Sequence, residues 1–316
     1  MIIKSKKKSV ALACGAVALF ASSASATLFI YEPFDYADTG PINDGAYLGD
    51  GNQSGALGTS GTWSQVSGGN TSPPTNEIDV RSAGLSFTDG GGNVLPVTGG
   101  HVTRDNRVGQ NSSWISSSFA ATEGTTTWMT FLYADGGFSG PDSFLGLTSQ
   151  TVAASDAQAL TAAGFGVGVG VNSVGGPERA LGASVYDNAT GQTFTPEPGP
   201  APYTFNGPGT SPVHLLGMKV NWNAGSDDEI FVFDITDITT EPLESAAVAS
   251  ATFNWTQSQQ DSLNLLSYAD TQVEDVDEIR VASTFLEAVG AAPIPEPSVT
   301  LLGALGGLAL LRRRRK

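Results

Sequence analysis

Cysteine is nearly absent from this 316-residue sequence, and its one cysteine, Cys14, lies close to the N-terminus. The rest of the chain therefore has no disulfide framework and no thiolate metal site. Burial of apolar side chains has to hold the folded part together. About 265 residues lie between the two terminal segments described below, which is enough for one sizeable core.

Basic residues are also scarce once the two ends are set aside. Residues 27–292 hold 30 acidic side chains and six basic ones, a formal net charge of −24. The six are Arg81, Arg104, Arg107, Arg179, Lys219 and Arg280. Phosphate backbones repel such a surface, so nucleic acid is excluded as a partner. The charge favours solubility outside the cell, and the alternative is recruitment of Ca²⁺ from the medium.

Histidine is rare, and the common catalytic motifs are missing. His101 and His214 are the only two, and neither lies in an HExxH or nucleophile-elbow pattern. His214 precedes a strand-like run, which favours a structural role. A Ser-His-Asp triad stays open, but nothing in the sequence selects one. We therefore assign no catalytic residue.

Long runs with a period of 3.6 residues are missing as well, and short β-prone runs recur between turn signals. In residues 164–171 the valines alternate with glycines, which predicts a strand with room for close packing on the glycine face. Predicted strands cover residues 126–133, 144–148, 164–171, 181–186, 214–222, 229–235, 246–253 and 278–285. The pattern predicts an all-β fold, an antiparallel sandwich.

Three connecting segments have their own signals. Residues 223–228 join two of the predicted strands in the clearest hairpin of the chain, and the second strand is apolar on both faces, as in a central strand. Six prolines between positions 196 and 212 predict an exposed loop. Residues 156–163 are interpreted as one or two helical turns.

The N-terminus has the pattern of a signal peptide. Four lysines at positions 4 to 8 precede a short apolar core at 10–20, and Ala24-Ser25-Ala26 supplies the small residues that signal peptidase accepts. The pattern predicts a signal helix over residues 1–26, with cleavage after Ala26. An exported body then spans residues 27–292.

The C-terminus, residues 293–316, has three features in order. Pro295-Glu296-Pro297 comes first, then an uncharged stretch at 298–311, and then Arg312, Arg313, Arg314, Arg315 and Lys316. This segment resembles a PEP-CTERM sorting signal. The resemblance implies a short hydrophobic C-terminal helix, transient membrane association and processing by an exosortase-type enzyme. The uncharged stretch is shorter than the roughly 20 residues of a full crossing.

The body resembles the exported proteins of bacteria that carry this signal. The shared elements are residues 31–36 (YEPFDY), 128–133, 215–237 and 277–280 (DEIR). The resemblance implies a concanavalin A-like or LamG-like jelly roll and no established activity. In the first motif the aromatic residues are expected to anchor a strand, and Glu32 and Asp35 to bind nearby backbone.

Two ligand-directed alternatives remain open. A carbohydrate-binding module would use aromatic platforms, although most of the five tryptophans are expected in the core. Asp227, Asp228 and Glu229 are the candidate ligands if such a module uses Ca²⁺. A glycoside hydrolase would need a carboxylate pair. Glu77 and Asp79 resemble the start of the Glu-x-Asp-x-x-Glu strand of laminarinase-like enzymes, but the third carboxylate of that pattern is missing here. No other cofactor is expected.

The leading hypothesis is therefore an exported, non-enzymatic surface or extracellular-matrix protein. Its expected partners are signal peptidase, an exosortase-type enzyme and extracellular polysaccharide. Saccharide binding is the alternative, and glycoside hydrolysis is the third candidate.

Overall fold

A computed structural model describes residues 27–37, 66–68, 78–105, 110–112, 116–120, 122–135, 141–148, 165–175, 178–187, 191–196, 203–204, 212–254, 259–269 and 273–291. The predicted signal peptide with Ala24 and Ala26 lies outside these residues. The whole segment 293–316, including Pro295, Glu296, Pro297 and the arginines at 312–315, lies outside them too, as does the predicted helix at 156–163. Among the described residues, no helix is long and apolar enough to cross a membrane.

The described chain is built almost wholly from strands. In chain order these are β1 Leu28–Glu32, β2 Val66–Gly68, β3 Ile78–Arg81, β4 His101–Asp105, β5 Gln110–Ser112, β6 Ser116–Ala120, β7 Thr125–Asp135, β8 Pro141–Thr148, β9 Phe165–Gly175, β10 Glu178–Asp187, β11 Gly191–Pro196, β12 Tyr203–Thr204, β13 His214–Trp222, β14 Asp228–Asp234, β15 Ala249–Phe253, β16 Gln259–Ala269 and β17 Val273–Ala282. A 3₁₀ turn at Glu244–Ala246 and one short helix, α1 at Phe285–Ala288, accompany them.

Two large antiparallel sheets contain most of the strands. The larger has the order β15-β14-β13-β7-β17-β4-β3, and β1 also pairs with β17. The smaller has the order β11-β10-β9-β8-β16-β6, and β12 also pairs with β10. β2 and β5 form a separate pair.

The chain passes from one sheet to the other along paired strands. β7 pairs with β17 in the larger sheet. β8 follows β7 along the chain, and it pairs with β16, which precedes β17, in the smaller sheet. One antiparallel ribbon thus runs through both sheets, which is the arrangement of a jelly roll. The predicted all-β antiparallel sandwich is confirmed.

The main core lies between the sheets and follows the alternation seen in the sequence. In β9 the valines at 167, 169 and 171 are buried in this core. The glycines between them allow close packing on the opposite face: a Cβ at Gly168 would lie 2.6 Å from a Phe144 ring carbon, and one at Gly170 would lie 2.8 Å from Phe194. The predicted role of these glycines is therefore confirmed, and the close-packing groups are phenylalanine rings.

A second apolar cluster covers the outer face of the larger sheet. Residues 82–100, called the strap below, and α1 pack against it. Trp128 lies at the centre, with ring centroids 5.4 Å from Phe233 and 5.1 Å from Phe285. Lys219 lies over the Trp128 ring at 5.8 Å and forms ion pairs with Glu241 and Glu244. Both faces of β14 are thus covered, as the sequence predicts for a central strand.

Three predictions at the level of elements need correction. The strand predicted at 278–285 begins at Val273 and ends at Ala282, and Phe285 belongs to α1. β16 was not predicted, because its leucines at 263, 265 and 266 fit neither strict alternation nor a helical period. The proline-rich segment contains the short strand β12, whose two residues pair with Glu178 and Arg179.

Candidate functional site

The two motifs of the body meet where β17 changes its neighbour. The first half of β17 pairs with β4, ending at Val276 opposite Val102. The second half pairs with β1, beginning at Ile279 opposite Glu32. Between them lie Asp277 and Glu278, and Glu278 has a φ of 54°. Because β1 carries the YEPFDY motif and β17 carries the DEIR motif, the fold brings both to one point.

Asp277 and Glu278 hold the two ends of the strap. Asp277 Oδ2 accepts a hydrogen bond of 2.8 Å from the Leu85 amide, and its Oδ1 accepts one of 2.7 Å from the Glu278 amide. Glu278 Oε1 accepts bonds from the Thr98 amide at 2.6 Å and from the Tyr31 hydroxyl at 3.2 Å. Both carboxyl groups are buried. We call these two residues the strap clamp.

Arg280 supplies the positive charge beside the strap clamp. Its Nη2 donates to Glu278 Oε2 at 2.6 Å and to the Pro96 carbonyl at 2.5 Å. The guanidinium carbon lies 4.9 Å from the centroid of the Tyr31 ring. The arginine is itself buried, so this charge is shielded from water and can offset the charge of Glu278.

Glu32 organises the turn that follows β1. Its Oε1 accepts a hydrogen bond of 2.8 Å from the Phe34 amide, and its Oε2 accepts one of 2.7 Å from the Tyr36 hydroxyl. Phe34 has a φ of 50° and is fully buried. A glycine is needed opposite this turn, because a Cβ at Gly99 would lie 2.9 Å from the Asp35 amide nitrogen. The backbone-binding role expected of Glu32 is confirmed.

Burial controls the protonation of the strap clamp. Loss of hydration raises the pKa of Asp277 to about 8, although the bond from the Leu85 amide acts in the opposite direction. Burial also raises the pKa of Glu278, against the lowering effect of the Thr98 amide and Arg280. At neutral pH Asp277 therefore holds its proton for most of the time.

The carboxylates considered for hydrolysis are placed differently from a catalytic pair. Glu77 lies outside the described residues. Asp79 is fully buried in β3 and accepts a bond of 3.4 Å from Arg81. Within the acidic stretch 274–278, Asp275 lies 3.6 Å from His101 Nε2, while Asp277 and Glu278 form the strap clamp. The buried position of Asp79 keeps its side chain from solvent, where a polysaccharide would have to reach it.

The second histidine also pairs with an acidic residue. His214 Nδ1 lies 3.3 Å from Asp234 Oδ2, across the β13–β14 hairpin. His101 Nδ1 contacts the Ala83 carbonyl at the start of the strap. Both side chains thus link neighbouring segments, as expected for structural histidines.

The residues considered for Ca²⁺ lie in the confirmed hairpin turn. Asp228 is buried, and its Oδ1 accepts a bond of 2.9 Å from the Asn223 amide. The Asn223 side chain donates to the Asp227 carbonyl at 2.9 Å and to Glu229 Oε2 at 3.3 Å. In the part of the chain that the structure describes, no group of three or more acidic, histidine or cysteine side chains is arranged to hold a metal ion. Calcium binding stays a prediction.

A groove of about 530 Å³ lies along one margin of the sandwich. β15 is the last strand of the larger sheet on this side, and β11 is the last of the smaller sheet. We call it the margin groove. It is lined by Val185, Thr193, Thr195, Glu229, Phe231, Ser250, Ala251, Thr252, Phe253 and Asn254.

Register places the polar side chains of the margin groove in rows. Glu229 pairs with Thr252 and Phe231 with Ser250, so these four share one face of the sheet. On β11, Thr193 and Thr195 pair with Val185 and Ala183 of the main core, so this row lies on the core-facing side of the smaller sheet. The row on β14 and β15 lies on the outer face of the larger sheet, because the residues that alternate with it belong to the main core. Sequence reasoning missed this groove, because alternating hydroxyls in two distant strands become a site only when two sheet edges meet.

The hairpin turn forms one end of the margin groove. Asp227 Oδ1 accepts a bond of 3.3 Å from the side-chain amide of Asn254, and Asn223 contacts Glu229 as described above. The acidic triplet 227–229 is therefore divided: Asp228 closes the turn, Asp227 positions a groove residue, and Glu229 lines the groove itself.

Comparisons with known proteins give limited information. No family model and no curated protein matches the chain. Among solved structures, the carbohydrate recognition domain of Emp47p is similar at 10% identity, covering 83% of this chain and 98% of that one, with a TM-score of 0.41. The endo-β-1,4-glucuronan lyase of the fungus Trichoderma reesei is similar at 11% identity, covering 67% and 94%, with a TM-score of 0.39. The β-glucanase of Bacillus licheniformis is similar at 10% identity, covering 82% and 98%, with a TM-score of 0.38. These low values assign no ligand or activity to this chain.

Proposed function

We propose that the chain is an exported, non-enzymatic surface or extracellular-matrix protein. Its C-terminal segment is a transient membrane anchor, which an exosortase-type enzyme processes. The body delivered in this way is a rigid acidic sandwich that works by its surface and not by bond cleavage.

One observation supports the non-enzymatic part of this proposal. The buried carboxyl groups in the two motifs bind backbone amides: Glu32 binds Phe34, Asp277 binds Leu85, and Glu278 binds Thr98. The bond of Glu32 fixes the turn after β1, and those of Asp277 and Glu278 join the strap to β17. Groups used in this way are inaccessible to a substrate.

The test of this proposal uses the purified full chain with a panel of insoluble and soluble polysaccharides. Reducing-end and unsaturated-product assays are expected to give the same signal as buffer over a day. Release of either product would overturn the non-enzymatic proposal. Loss of that release in Glu77→Gln would then assign the activity to the predicted carboxylate pair.

The processing step is tested separately on native protein from the producing cells. Mass spectrometry of the exported form should show a C-terminus that lies before residue 312. An exported form that ends in the intact sequence RRRRK would contradict the proposed processing.

Saccharide binding is the second candidate function, and the margin groove favours it. A groove with rows of hydroxyl side chains suits a polyhydroxylated ligand better than an apolar one. The same polysaccharide panel tests it by co-sedimentation. Retention with or without Ca²⁺ supports the candidate, and no retention under either condition rejects it.

A further inference from the structure

We propose that the margin groove is the binding site for a short, uncharged oligosaccharide. This inference rests on the second candidate function above and adds to it the position of the site and the class of sugar. The proposal is carried by three properties of the groove: its hydrogen-bonding groups, its rigidity and its charge.

The hydrogen-bonding groups suit a sugar. Four of the described residues that line the groove carry a hydroxyl, at positions 193, 195, 250 and 252, and Asn254 and Glu229 line it too. The hydroxyls form two separate rows, one on the core-facing side of β11 and one on the outer face of β15. A hydroxyl both donates and accepts, as do the hydroxyls of a sugar ring. Phe231 is half-buried and adds apolar surface, against which the C–H groups of a ring can pack, whereas Val185 and Phe253 are buried in the main core.

Rigid elements hold these groups. All of the lining residues except Asn254 belong to β10, β11, β14 or β15. Asn254 is fixed in turn by its bond to Asp227. Binding a sugar therefore requires little ordering of the protein, which favours affinity for a flexible ligand.

Charge restricts the class of sugar. Among the lining residues that the structure describes, Glu229 is the only charged one, and none is a lysine or an arginine. The surrounding body has a net charge of −24. Uronates, sulfated sugars and phosphorylated sugars would be repelled, so uncharged hexoses and pentoses are the ligands that fit.

The volume also limits the ligand. About 530 Å³ lies within the range of small-molecule sites. The groove is open at the margin, so it suits an internal stretch or an end of a longer chain. A neutral oligosaccharide of a few rings is therefore the appropriate probe.

The experiment titrates the full chain with neutral tetrasaccharides of cellulose, xylan, mannan and laminarin, and with tetragalacturonate. Heat of binding is measured for wild type, Thr252→Val and Glu229→Gln. Thr236→Val is the matched control, because Thr236 is exposed and lies outside the groove. Urea unfolding of each variant shows whether it is folded.

At least one neutral tetrasaccharide should bind wild type, and tetragalacturonate should bind at least tenfold more weakly or not at all. Thr252→Val should lose about fivefold in affinity for the neutral sugar, which corresponds to one neutral hydrogen bond. Thr236→Val should bind as wild type does. Glu229→Gln should lower the affinity for the neutral sugar. It should raise the affinity for tetragalacturonate by about tenfold, because a nearby like charge is removed.

The negative outcomes are distinguishable. Equal affinities in Thr252→Val, Glu229→Gln and wild type, with all three folded, would place the sugar elsewhere and overturn the site while saccharide binding stands. Tetragalacturonate binding as tightly as the neutral sugars would overturn the charge argument. Absence of all retention on polysaccharides would overturn the second candidate function itself.

Discussion

Replacing Asp277 by asparagine should flatten the pH dependence of stability between pH 6 and 8. The pKa of Asp277 rises from 3.8 to about 8 in the folded protein, so the folded state binds more protons than the unfolded state between these values. The contribution of Asp277 to the free energy of unfolding therefore falls as pH rises through this window and is fully present only below the unfolded pKa. For this one group the fall from pH 6 to pH 8 is about 2 kcal/mol.

Urea unfolding at several pH values measures this slope, because Trp128 and Trp222 are buried and should change fluorescence on unfolding. Groups that titrate in both proteins cancel when wild type is compared with Asp277→Asn. The control is Asp237→Asn, since the Thr239 hydroxyl lowers the pKa of that exposed carboxyl and keeps it out of the window. Equal slopes in wild type and Asp277→Asn, or a slope lost in the control as well, would refute the reasoning.

Two further substitutions test the packing described above. Arg280→Met leaves Glu278 buried without its cation and should lower the free energy of unfolding by about 3–5 kcal/mol near pH 8 and by less near pH 5. The double variant with Glu278→Gln should recover part of this stability. Urea unfolding at both pH values measures each variant. Gly168→Ala places a Cβ 2.5 Å from the Leu145 carbonyl and should cost about 1–3 kcal/mol, whereas the exposed Gly90→Ala, with its nearest neighbour at 3.6 Å, should change stability by no more than about 0.5 kcal/mol.

Local sequence patterns predicted the fold class and eight strand runs, which correspond to β7 to β10, β13 to β15 and β17, but they missed β4, β6, β11 and β16. Alternation in β9 and the turn residues between β13 and β14 are visible within a dozen residues, and the structure confirms both. The boundaries of β17 were harder, because its acidic first half has no apolar alternation. Pairing with β4 and β7 makes these residues a strand.

The two candidate sites could not be found in this way. The sequence gives Asp277 and Glu278 no role beyond their place in the DEIR motif; their role depends on the change of neighbour in β17 and on the strap that covers them. The margin groove needs the edges of both sheets, and its lining residues span positions 185 to 254. Such sites depend on contacts between distant segments, which single-sequence periodicity does not encode.

The pairing of β1 with β17 sets the order in which the body can be completed. The Thr27 amide donates to Ser283 Oγ at 2.9 Å, and the Ser283 amide donates to the Thr27 carbonyl at 2.9 Å, across 256 positions. On the proposed export route, a chain that emerges with its N-terminus first presents β1 long before its partner arrives. The larger sheet can then close only when residue 283 has cleared the membrane, so the body is completed late in translocation. Until that moment β1 is an unpaired strand, and a slow export step would prolong the interval in which it can aggregate.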